Sequence, residues 1–239
     1  MALSMAPVPS LQRIRWHPLR YLAEIHAVVA ERVLAAAGEA ARARGHFSIV
    51  LAGGETPRGL YETLRSARAE WSAWHVYFGD ERCVAVDDPS RNSRMAALAW
   101  LDHVPIPRDQ IQPIPAELGA LAGAAQYERV LAGIGAFDLL LLGLGEDGHV
   151  GSLFPGHDLG SERAAPSVLP VLDAPKPPPM RISLSAARFS RARQTCFLVA
   201  GEGKRAAVQQ WQRGAAIPAA AIVPASGVDV FIESALLDS

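Results

Sequence analysis

The sequence predicts an α/β protein built on a mainly parallel sheet with helices on both faces. Two observations carry that expectation. Short unbroken apolar runs, among them FSIVL, HVYF and FDLLLL, alternate with longer stretches whose apolar residues recur at helical spacing. Strands buried on both faces read as continuous apolar runs, and parallel neighbours need crossover helices between them. The composition agrees. Of 239 residues, 50% are hydrophobic and 20% charged, which excludes a disordered chain. Twenty-three Lys and Arg against 24 Asp and Glu leave a formal charge of −1, so no nucleic-acid partner is expected. A chain of this length buries roughly 70–75% of its unfolded surface and needs no disulfide or metal to hold it.

The elements follow in order. Residues 1–10 read as a loose tail, with no apolar core long enough for a signal peptide, and 11–239 as one domain. From about 19 to 44, Leu22, Ile25, Val29 and Val33 recur on one helical face, and Gly45 ends the helix. FSIVLAGG is a buried strand. Thr56-Pro57 then reads as a hydroxyl N-cap followed by Pro at the first helical position. HVYFGDE is a second strand, SRNSRMAALAWL a helix opened by a polar cap, and 117–133 another helix. FDLLLLGLG is the strongest strand signal. RISLS, TCFLVAG and VDVFIE are further strands, with GKRAAVQQWQR as a helix before the last. Residues 155–179 are rich in Pro and lack periodicity, so they read as a long surface excursion beside the site. No stretch of about 18 apolar residues occurs, and no membrane span is expected. Cys83 and Cys196 form no C-x-x-C pair, which points to reduced thiols and a cytoplasmic protein.

Ligands of parallel α/β sheets sit at the carboxyl ends of the strands, so the loops there hold the candidate residues. Gly53-Gly54-Glu55-Thr56-Pro57 offers backbone N–H groups and a helix N-terminus, which suits phosphate as well as it suits a tight turn. Gly79-Asp80-Glu81-Arg82-Cys83 places three charges after an apolar strand, where core burial is not expected and Arg82 can serve phosphate or an oxyanion. Gly145-Glu146-Asp147-Gly148-His149 lies within a formal G-x-G-x-x-G, yet Phe154-Pro155-Gly156 would stop the helix that a dinucleotide needs. What remains there is Asp147 and His149, two residues apart in a turn of small residues that should leave the imidazole exposed. They could begin a metal site, but His157 is the only near third ligand and lies beyond a Pro-Gly turn, so no metal is expected. Lys204 opens a helix, where a cation opposes the dipole unless an anion compensates; a plain surface lysine is the competing reading.

Together these loops resemble the 6-phosphogluconolactonase branch of the glucosamine-6-phosphate isomerase/6-phosphogluconolactonase family. The matching stretches are LAGGETPRGLYETL, YFGDERCV with DDPSRN downstream, LLLGLGEDGHVGSLFPGH, RISLS and GEGKRAAV, in family order from about 48 to 210. The resemblance implies a three-layer αβα Rossmann-like fold, shared with sugar-phosphate isomerases and deaminases. It implies a metal-free, cofactor-free hydrolysis of 6-phosphogluconolactone in the pentose phosphate pathway. His149 would be the general base, Asp147 would orient it or bind a sugar hydroxyl, and Arg82 would serve the oxyanion or the phosphate. Backbone N–H groups of the turn from Gly145 to Gly148 are further oxyanion candidates. Gly53, Gly54, Thr56, Arg181 and Lys204 would hold the 6-phosphate, with Asp80 and Asn92 also in the substrate site. A monomer with only its small-molecule substrate as partner is expected. Glu55, Arg91 and Gly151 depart from the family pattern, Arg91 with a possible effect on the rim. Ser152 is a weak alternative nucleophile, since no G-x-S-x-G surrounds it. The related deaminases carry a Glu five residues after the His; Phe154 stands there and cannot exchange protons.

Overall fold

The structure, a computed structural model, describes residues 12–237. The tail expected at 1–10 lies outside the described residues. The chain runs β1 (Ile14–Leu19), α1 (Leu22–Arg44), β2 (Phe47–Leu51), α2 (Glu55–Leu64), β3 (Trp74–Phe78), β4 (Asp80–Arg82), α3 (Asn92–Ala96) and β5 (Ile111–Gln112). It continues through α4 (Ala120–Leu131), β6 (Phe137–Gly143), β7 (Val168–Val171), β8 (Arg181–Leu184), α5 (Ala186–Phe189), β9 (Ala192–Val199), α6 (Arg205–Gln212) and β10 (Val228–Glu233).

Seven strands form one parallel sheet in the order β1-β10-β9-β6-β2-β3-β5. Every residue of β2 is buried, so both faces of the central strands are covered, as the apolar runs require. Helix α1 packs on β2, β6 and β10, and α2 on β6 and β9. Each fully buried Leu, Ile, Val or Phe contributes about 1.5–3 kcal/mol. Tyr61, Trp71, Trp74 and Trp100 pack together at one end of the core, with Trp74 and Trp100 edge to face at a centroid distance of 5.6 Å.

A second, antiparallel sheet in the order β4-β8-β7 departs from the expected layout. The charged loop after β3 is its first strand, and RISLS belongs to it rather than to the main sheet. The Pro-rich excursion supplies its third strand, β7. Pro170 is tolerated there because β7 is an edge strand, where a missing N–H leaves no ladder bond unmade. Two helix starts also differ. Helix α2 begins at Glu55 with Gly54 as N-cap, so Thr56 is one residue inside it and caps nothing. Helix α3 has no side-chain cap from its own sequence; the Glu81 carboxylate accepts the Asn92 and Ser93 N–H groups instead. Beyond Ala96 this helix widens into a π-helical turn, Ala97–Leu101.

Candidate active site

The sheet order reverses between β2 and β6: successive crossovers lead one way to β3 and the other way to β9 and β10. Loops leaving those two strands diverge and open a crevice at their carboxyl ends. A cavity of about 340 Å³ lies there, with Leu51, Leu142 and Leu198 at its floor. Its wall carries Gly53, Gly54, Thr56, Asp80, Arg82, Gly145, His149, Arg181 and Lys204, brought together from five separate stretches of sequence. Asp147, Asn92 and Gly148 stand behind this wall.

His149 Nδ1 lies 2.5 Å from Asp147 Oδ1, which also accepts the His149 backbone N–H at 3.2 Å. An ionised carboxylate can only accept, so Nδ1 carries the proton and Nε2 presents its lone pair. Nε2 makes no hydrogen bond to any described residue. The imidazole side chain is 19% exposed, less open than its small neighbours suggested, because the Phe154 ring packs against it. Burial lowers the His149 pKa, and the hydrogen bond and charge of Asp147 offset this only in part. Burial alone would raise Asp147, but its bonds to His149 hold it below the usual carboxylate range. The pair is therefore a neutral imidazole beside an ionised carboxylate. Gly145 makes room for it: a Cβ there would lie 2.0 Å from Nδ1.

The turn itself narrows one expectation. Gly145 N–H donates to His149 O and Gly148 N–H to Gly145 O, so the two glycine amides are engaged within the turn and are not free for an oxyanion. Gly148 packs against Ile217.

Asp80 and Glu81 are both buried, against the reading of a solvated charge cluster. Asp80 Oδ2 accepts from Ser152 Oγ at 2.7 Å, and Oδ1 from Asn92 Nδ2 at 3.0 Å. Ser152 is thus a buried donor with its hydroxyl engaged, and Asn92 is a support for Asp80 rather than a wall residue. A Cβ at Gly53 would fall 1.9 Å from Asn92 Oδ1, so only glycine lets the β2 loop close over it. Glu81 accepts the N–H groups of Arg82, Asn92 and Ser93 at 2.8–2.9 Å, joining β4 to α3. Burial raises its pKa against those bonds. Arg91 lies 3.4 Å from Glu81 and is itself buried, so this departure from the family pattern braces the interior and leaves the rim untouched. The sequence marked Asp-Glu-Arg only as charges; a Glu flanked by apolar strand and helix start was the available signal for the hub.

Three cations face the cavity. Arg82 Nη1 donates to Ser90 O, while its buried Nε–H has no hydrogen-bond partner among the described residues. Leaving such a donor unmet costs about 1–3 kcal/mol. Arg181 donates from Nε to Pro178 O and from Nη2 to Lys176 O and Pro177 O, so it clamps the Pro-rich excursion and keeps only Nη1 for a ligand. Burial, and then the charge of Arg82, lower its pKa. Lys204 ends a 3-10 turn and stands at the N-cap of α6; its backbone N–H donates to Gly201 O, while its side chain makes no hydrogen bond among the described residues. Burial lowers its pKa, with Lys176 adding repulsion and Glu146 and Asp147 opposing.

No group of three or more His, Cys, Asp or Glu among the described residues is placed to hold a metal ion. His157 faces Asp173 at 3.6 Å instead of joining Asp147 and His149. Glu55, Gly151 and Phe189 also line the wall, where the sequence pointed to no site role for them. Phe189 reaches it from α5, a helix too short to show periodicity.

The sequence profile of the "Glucosamine-6-phosphate isomerases/6-phosphogluconolactonase" family matches residues 22–231. This chain belongs to that family. A 6-phosphogluconolactonase of Mycobacterium tuberculosis is 40% identical over 214 residues, covering 82% of this chain and 86% of that protein. The crystal structure of a 6-phosphogluconolactonase from Thermotoga maritima superposes with a TM-score of 0.85 at 24% identity, covering 92% of this chain and 100% of the other. A monomeric glucosamine-6-phosphate deaminase superposes nearly as well, with a TM-score of 0.81 at 20% identity over 93% of this chain and 98% of that one. The three-layer fold is therefore common to both branches, and only side chains in the site can separate them. No helix among the described residues is long and apolar enough to cross a membrane.

Proposed function

We propose that the chain hydrolyses 6-phospho-D-glucono-1,5-lactone to 6-phospho-D-gluconate. The observation that carries this reading is the His149–Asp147 pair at the cavity wall, with Nδ1 engaged and Nε2 free. A lactone is a reactive ester, and its hydrolysis needs a positioned water, a base and charge stabilisation. His149 Nε2 takes a proton from water as the water oxygen bonds to the lactone C1. The carbonyl oxygen becomes an oxyanion beside Arg82, whose guanidinium charge stabilises it. Collapse re-forms the carbonyl, breaks the bond from C1 to the ring oxygen, and returns the Nε2 proton to that oxygen as the sugar hydroxyl. The new carboxylic acid then ionises.

The 6-phosphate would rest on the loop of Gly53, Gly54 and Thr56, with Lys204 and Arg181 Nη1 as cations. Remote phosphate binding places C1 in register with the water. Asp80 faces the same cavity and can accept a sugar hydroxyl. As such an enzyme the protein would act in the pentose phosphate pathway, in the cytoplasm and as a monomer, without a metal or cofactor.

A second reading is the deaminase-like isomerase, supported by the shared fold. Phe154 speaks against it, since an apolar ring occupies the position of the deaminases' proton-exchanging Glu. Side-by-side assays test the choice. Fresh 6-phosphogluconolactone should open faster with enzyme than by itself, and glucosamine-6-phosphate should release no ammonia. The reverse pattern would overturn the reading.

A further inference from the structure

One residue in contact with His149 carries neither charge nor hydrogen-bonding side chain. Phe154 is fully buried. Its ring centroid lies 4.8 Å from that of His149 at an interplanar angle of 42°. The Arg181 guanidinium carbon lies 5.5 Å from the same centroid. Phe154 does not belong to the main core. It forms a small separate cluster with Val171 of β7 and Ala174 of the excursion. A ring of this size, placed between the imidazole and a clamped arginine, does more than fill space.

The hydrogen bond to Asp147 fixes one atom of the imidazole. It leaves the ring free to tilt about Nδ1, and the direction of Nε2 with it. A second contact has to set the plane. We propose that Phe154 is the positioning residue of His149: its ring sets the imidazole plane, aims Nε2 into the cavity and keeps water off the inner side of the base. This rests on the reading of His149 as the base. Arg181, by gripping the excursion that packs on Phe154, holds the ring in turn. Burial lowers the His149 pKa, in keeping with such a wall. The charged groups that face His149 are Asp147 on its own turn, Asp80 on β4 and Lys176 on the excursion, with Arg82, Arg181 and Lys204 on the same cavity. A change at Phe154 leaves each of these charged groups in the chain, although Arg181 loses the ring it packs against.

The test is a titration of the His149 imidazole by NMR in the free enzyme, beside the pH dependence of kcat. Phe154→Leu and Phe154→Met keep an apolar side chain and remove the ring. The expected result is a rise of the His149 midpoint by about half to one pH unit as water reaches the ring. The acid limb of kcat should move by the same amount. The value of kcat should fall about 10- to 100-fold, with a smaller change in KM. A midpoint equal to wild type in a folded variant would overturn the proposal, whatever happens to kcat. Wild-type spectra give a check that needs no variant: cross-relaxation between His149 and Phe154 ring protons should persist across the titration, and its absence would equally overturn the proposal. If His149→Ala stayed fully active, the reading of the base would fail, while the NMR midpoint would still report on Phe154 alone.

Discussion

Arg82 sits directly opposite Arg181 in the antiparallel pairing of β4 and β8. Like charges in register across two strands repel, by a few tenths to about 1 kcal/mol. Neither guanidinium has a carboxylate within ion-pairing distance among the described residues. The two differ in what they have left to offer. Arg181 is largely taken by the excursion's carbonyls, while Arg82 keeps a buried donor free. On the proposed function, the two charges would serve an anion, either the substrate phosphate or the charge that develops on the carbonyl oxygen.

Arg82→Ala separates those two roles. If Arg82 serves the oxyanion, kcat should fall by roughly 10²–10³-fold with little change in affinity for 6-phosphogluconate. Steady-state kinetics and calorimetric titration of the product read both quantities. A larger loss of product affinity than of kcat would move Arg82 to the phosphate. Arg181→Ala should behave differently again, lowering stability by about 1–3 kcal/mol because three loop carbonyls lose their donor.

Lys204→Ala addresses the phosphate grip directly. Binding of 6-phosphogluconate should weaken by roughly 1.5–3 kcal/mol, the range of a charge-assisted contact. Unphosphorylated gluconate should bind as before. Stability should hold or rise slightly, since a cation at a helix N-terminus is removed. Equal losses for both ligands would return Lys204 to an ordinary surface role.

Ser152→Ala should leave kcat within about tenfold of wild type, because the hydroxyl is buried and donates to Asp80. Mass spectrometry of enzyme quenched during turnover should find no covalent adduct. An adduct on Ser152, or complete loss of activity, would point to a nucleophile and away from activated water.

The pH dependence follows from the neutral base. His149 works deprotonated, so the rate is present above its pKa and is lost as pH falls through it. Burial places that pKa below the ordinary imidazole value of about 6.5. The acid limb of kcat/KM should therefore lie below that value, and His149 variants should lack it. A limb at or above it would mean that water reaches the ring freely. Dialysis against a strong chelator should leave the profile unchanged; loss of activity restored by one divalent ion would reveal a metal role.

The central strands were legible because FSIVL and FDLLLL are apolar on both faces, which few other environments produce. The second sheet was not. Asp80, Glu81 and Arg82 look like a solvated loop, since the sequence does not say that Glu81 will find the backbone N–H groups of Asn92 and Ser93 across the chain. Val168–Val171 contains a proline, which masks an edge strand. β1 was missed as well: Arg15, His17 and Pro18 interrupt its apolar residues, and its place beside β10 allows Arg15 and His17 to reach Asp229. The site was easier to read than its supports. His149, Asp147, Arg82 and Lys204 stand out as polar residues at strand ends, whereas Phe154, Phe189 and Ser152 act through packing and bonds that only the folded chain brings together.

The central claim is that His149, oriented by Asp147, activates water against a phosphorylated lactone. The most direct measurement is the enzymatic opening of freshly generated 6-phosphogluconolactone by wild type and His149→Ala, with the spontaneous rate subtracted. The account expects kcat to fall by roughly 10²–10⁴-fold with KM nearly unchanged, and a residual rate above background from phosphate anchoring and Arg82. A His149→Ala enzyme that keeps more than about half of the wild-type kcat would contradict it, since that is far less than a general base contributes.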